Sequence, residues 1–119
     1  MDQDELELVL ELRSRFIQDL VDELTSCEDF LLEFEKSKSM DSLKECQRLL
    51  HSNKGTASYL ELPALASHIH SLEALISKAE NNEDVVDQCL KILEQLRLAA
   101  PGISLEDASD FPAIPSLAS

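Results

Sequence analysis

From Asp4 to about Lys36 the apolar residues Leu6, Val9, Phe16, Leu20, Leu24, Cys27, Leu31 and Phe34 recur at steps that keep them on one face of a helix. At 1.5 Å per residue such a helix is roughly 50 Å long. The stretch Ser37 to Ser42 interrupts the pattern, and Ser39 or Asp41 is placed to cap a second helix, because a short side-chain oxygen accepts from the unpaired N–H groups of a first turn. The seam of that helix, Leu43, Cys46, Leu50, Ala57 and Leu60, ends at Leu62 and Pro63, and Pro63 suits the first turn of a third helix, where a missing N–H costs nothing. The third helix carries Leu65, Ile69, Leu72, Ile76 and Ala79. The polar stretch Glu80 to Asp84, with Asn81 or Asn82 as cap, precedes a fourth seam of Val86, Cys89, Leu90, Leu93 and Leu96, stopped by Pro101 and Gly102.

Connections this short make successive helices antiparallel, so residues 1–102 are expected to form an all-α, up-down-up-down four-helix bundle. Residues 103–119 differ in kind: acidic, punctuated by Pro112 and Pro115, with scattered Leu105, Phe111, Ile114 and Leu117. Ser104 and Asp107 offer a capping box for a short fifth helix, and the composition beyond suits a linker to a further domain.

Composition sharpens this picture. Glycine and proline fill 6 of 119 positions, well under the usual share, which leaves little material for the turns of a sheet, while leucine fills 22. A net charge of -14 repels phosphate backbones and anionic lipid surfaces, so nucleic acid and membranes are set aside as partners. No apolar run exceeds three residues, too short for a signal peptide or a membrane span, and a soluble, cytoplasmic protein is expected. The odd number and wide spacing of Cys27, Cys46 and Cys89 predict reduced core thiols.

One glycine stands out. Gly55 lies inside the second helix, at a cost of about 1 kcal/mol relative to alanine. Beside the seam of that helix runs a polar stripe, Gln47, His51, Lys54 and Ser58, with Gly55 one turn beyond His51, so nothing bulky covers that side of the imidazole and another surface can approach it. Lys44 and Arg48 form a basic flank on the turns before His51, suited to an acidic partner. On the third helix the corresponding stripe is Ala66, His70, Glu73 and Ser77, whereas His68 lies roughly 200° around from His70 and is expected at the surface. In an antiparallel pair, His51, Lys54, His70 and Glu73 can meet in one groove. An exposed neutral imidazole is a nucleophile toward a phosphoryl group, a carboxylate on its other nitrogen fixes the tautomer, and a lysine offsets phosphate charge.

The run His51-Ser-Asn-Lys54-Gly55-Thr56-Ala57 resembles the phosphorylation motif of histidine phosphotransfer (HPt) domains, H-x-x-K-G-[ST]-[AS], and the likeness extends from about Val9 to Leu98. His70 and Glu73 fall 19 and 22 residues after His51, a spacing similar to that of the histidine and glutamate in the N-terminal domain of chemotaxis-type histidine kinases. The resemblance implies that His51 takes a phosphoryl group from a histidine kinase domain and passes it to an aspartate of a response-regulator receiver domain. It further implies that Lys54 and Glu73 support the transfer, that His70 joins the hydrogen-bond network, and that Gly55 clears the surface. Gln47, Ser58 and Arg48 are the remaining candidates for partner access. Asn53 replaces a usually apolar residue, which bears on local packing, and Glu61 replaces the glycine that commonly ends the helix.

On this reading the isolated domain is a monomer with no catalysis of its own, whether free or part of a histidine kinase. It binds no cofactor, and ATP and Mg2+ come with partner domains. Two alternatives compete with it. A di-iron site needs paired Glu-x-x-His motifs, and the chain offers one such pair in reversed order, so no metal is expected. A helical docking module that is never phosphorylated shares the bundle, and phosphate labelling separates the two.

Overall fold

The computed structural model describes residues 2–106 and consists of α1 (Gln3–Ser37), α2 (Met40–Tyr59), α3 (Pro63–Ile76) and α4 (Glu83–Ala99), closed by a 3-10 turn at Ala100–Gly102. No strand occurs among the described residues. The expected fifth helix falls almost wholly on residues 107–119, outside the described residues.

The helices lie at the corners of a square, α1 against α2 and α4, and α3 against α2 and α4, with no contact across either diagonal among the described residues. The long axis of the molecule, 51 Å, is that of α1. Leu20, Leu24, Leu31, Leu43, Leu50, Leu65, Ile69, Leu72, Ile92, Leu93 and Leu96 are almost wholly shut off from solvent and form one continuous core. All three cysteines are buried there as free thiols. The Cys27 thiol beside Cys46, together with burial, pushes the Cys46 thiol far above its ordinary value, and burial pushes Cys89 up to about 12, so neither forms a reactive thiolate.

Each helix begins where a side chain or proline can serve its orphan amides. Asp2 accepts from Glu5 N at the start of α1, Ser39 from Ser42 N at the start of α2, and Asn82 from Asp84 N at the start of α4, while Pro63 occupies the first turn of α3. The expected seams need three corrections. Ala79 is buried but lies past the end of α3, in the turn that leads to α4. Leu6 is 37% exposed, because α2 stops at the level of Arg13 and the first turns of α1 run on without it. The boundary at residue 102 also falls short, since Ile103 is buried in the core and Leu105 packs against it.

Glu61 does occupy the left-handed conformation that glycine usually takes, with φ 59°. Leu62 N donates to Ala57 O at 2.9 Å and Glu61 N to Ser58 O at 3.1 Å, which together are a Schellman closure with buried Leu62 against Ala57. This strained turn is held by a residue that the sequence pattern passed over. Arg13 is buried, and its guanidinium donates to Leu60 O at 2.8 Å, Glu61 O at 3.4 Å and Leu105 O at 2.7 Å. One side chain therefore ties α1 to the end of α2 and to the segment leaving the bundle. Charge-assisted bonds of this kind contribute about 1.5–3 kcal/mol each when the acceptors would otherwise be left unpaired. Arg13→Met keeps the apolar stem and removes all the donors, and is expected to lower unfolding free energy by about 2–4 kcal/mol in urea denaturation. A change under about 0.5 kcal/mol would show that water replaces the guanidinium without loss.

Candidate functional site

His51 stands at the middle of α2 because the seam residues Leu50 and Ala57 on either side of its stripe are fully buried, which turns position 51 outward. Its side chain is 72% exposed. Glu73 reaches it from α3, with Oε1 3.1 Å from His51 Nδ1. The other carboxylate oxygen, Oε2, is screened from solvent and lies 3.1 Å from Lys54 Nζ, an ion pair rather than a directed hydrogen bond. Three of the four expected residues thus meet across the antiparallel α2–α3 interface.

Their electrostatics follow from the contacts. Burial disfavours the charged form of Glu73, but Lys54 and His51 together outweigh it and hold the carboxyl below its ordinary value of 4.5. An ionised carboxylate can only accept, so Nδ1 carries the ring proton and donates to Glu73. The lone pair is left on Nε2, the nitrogen away from Glu73 on a ring open to solvent.

The expectation that His70 joins this network is not met. His70 is exposed and no hydrogen bond links it to the other three among the described residues. Antiparallel packing puts Glu73, not His70, level with His51, and Lys54 is paired with Glu73. His68 also departs from expectation: it is half-buried, and burial lowers its pKa.

The surroundings divide into two sides. Toward the start of α2, His51 shares an open groove of about 450 Å3 with Lys44, Gln47, Arg48, Glu73 and Ser77. Toward its end, Gly55 and Ser58 are exposed, and Ser58 is not part of that groove. A Cβ built on Gly55 would meet nothing within 4 Å, so the fold does not require glycine there. Gly55→Ala is therefore expected to stabilise the bundle by about 1 kcal/mol in thermal or urea unfolding, and destabilisation would mean the glycine serves the backbone. Asn53 is buried, and its amide donates to Leu49 O at 2.8 Å and to Glu23 on α1, so the polar substitution is satisfied and clamps α1 to α2 beside the site. No group of three or more His, Cys, Asp or Glu side chains among the described residues is arranged to hold a metal.

A family model described as Hpt domain matches residues 11–113. The chain belongs to the Hpt domain family. No solved structure matches it. Hpt domains act in phosphotransfer in two-component signalling and interact with histidine kinases and response regulators. For this Hpt domain, no helix among the described residues is long and apolar enough to cross a membrane.

Proposed function

We propose that His51 is the phosphoacceptor of this Hpt domain, taking a phosphoryl group from a histidine kinase domain and handing it to an aspartate of a receiver domain. The observation that carries this reading is the contact of His51 Nδ1 with Glu73 at 3.1 Å on a ring otherwise open to solvent. In the loading step the Nε2 lone pair forms the N–P bond as the bond from the γ-phosphorus to the bridging oxygen breaks, and ADP leaves with that electron pair. Glu73 holds the Nδ1 proton and offsets the positive charge that develops on the ring. Lys54 steadies Glu73 and stands one turn from the incoming phosphate. In the unloading step an aspartate oxygen attacks phosphorus, the N–P bond breaks, and the electron pair returns to Nε2.

ATP and Mg2+ are supplied by the kinase domain. The separation of 22 residues between His51 and Glu73, joined here by a hydrogen bond, supports assignment to the chemotaxis-kinase kind of Hpt domain, acting in the cytoplasm. Incubation with a histidine kinase and labelled ATP tests the reading. Label that is lost in acid and stable in base is expected, since phosphoramidates are acid-labile. A docking module that is never phosphorylated takes up none.

A further inference from the structure

Charge is unevenly distributed over the bundle. α1 carries eleven acidic and three basic residues, α4 four and two, and α3 a single acidic residue with no lysine or arginine. Only α2 reverses the balance, with Lys44, Arg48 and Lys54 against Asp41 and Glu45. Two of its cations are already engaged. Arg48 is bonded to Glu45 at 2.8 Å, and Lys54 lies 3.1 Å from Glu73. Lys44 is exposed and has no hydrogen-bond or ion-pair partner among the described residues. It lines the same open groove as His51, together with Gln47 and Ser77.

We infer that this groove, on the side of His51 toward the start of α2, is the docking surface for the acidic rim of the receiver's phosphoacceptor site, and that Lys44 is the cation that selects and orients it. The inference rests on the phosphoacceptor reading of His51. An acidic surface approaching a body of net charge -14 is repelled over most directions, and the α2 face is where that repulsion is weakest. A cation already held by its own carboxylate offers a partner little, because forming a new pair means breaking the old one. Lys44 has no such pair to break. Its position two turns before His51 places the acidic rim to one side of the ring, so the receiver's aspartate comes to Nε2 and not to Lys44 itself. The strongly acidic α1 disfavours the opposite orientation, with the rim turned toward α1.

The test uses the full chain loaded on His51 with phosphoramidate, a small donor that needs no docking, followed by transfer to a receiver domain that the wild-type chain phosphorylates. Lys44→Glu is expected to load normally yet transfer about tenfold more slowly at low salt, with the difference shrinking at high salt as the charges are screened. Lys91→Glu, an exposed position on α4, changes net charge equally and is expected to leave transfer near the wild-type rate. Equal rates for Lys44→Glu and wild type at low salt, or equal slowing by both variants, would overturn the assignment of the groove. Failure of the wild-type chain to load at His51 would instead overturn the phosphoacceptor reading.

Discussion

His51→Gln abolishes acid-labile phosphorylation and leaves the bundle folded. The ring is 72% exposed and its one bond is to Glu73, so the substitution removes the nucleophile without opening a cavity. Glutamine keeps helix propensity and an amide able to reach the carboxylate, and the unfolding free energy should stay within about 0.5 kcal/mol of wild type. Labelling should fall to background with kinase and with phosphoramidate alike. Retained acid-labile label would move the site to His70 or His68. Loss of label together with loss of the folded state would mean that His51 supports the core, which its exposure argues against.

Glu73→Ala has the second largest effect, and it separates rate from stability. Without the carboxylate both tautomers of His51 are open, the developing charge on the ring is no longer offset, and Lys54 points at nothing. Phosphorylation should slow by about tenfold to a hundredfold, the usual consequence of removing a carboxylate that orients a reacting imidazole. Stability should fall by less than about 1 kcal/mol, because ion pairs at partly exposed positions contribute little. The pH dependence has a definite sign. The folded-state pKa of Glu73 is depressed below 4.5, so its contribution is fully present above that value and is lost as pH falls through the lowered one. Wild type and Glu73→Ala should therefore differ in stability above about pH 4.5 and converge in stronger acid. A gap that widens in acid would contradict the ion-paired carboxylate, and an unchanged phosphorylation rate would remove Glu73 from the mechanism.

The pattern of apolar positions is enough to place four helices, their caps and the stripe that carries His51, because periodicity reports which face is buried. It fails where a polar group sits in the core on its own hydrogen bonds. Arg13 occupies the register of the α1 seam between Val9 and Phe16, and Asn53 the inner side of α2; a hydropathy reading passes over both, although a charge on a seam is itself a signal that something nearby needs donors. The site is legible in the same uneven way. The meeting of His51, Lys54 and Glu73 follows from stripes on two antiparallel helices. The exclusion of His70 depends on the axial offset of α2 and α3, which spacing along one chain does not fix. Glu61 is a misfit at a glycine position, and the conformation at that turn is the left-handed one, retained because Arg13 and the Schellman bonds secure it.

The most direct test of the account is the protonation and phosphorylation of the two ring nitrogens of His51, read by nuclear magnetic resonance on protein carrying 15N-labelled histidine. Before loading, the proton should reside on Nδ1, bonded to Glu73, and after loading the phosphoryl group should be on Nε2. A proton on Nε2 in the free protein, or phosphate on Nδ1, would contradict it.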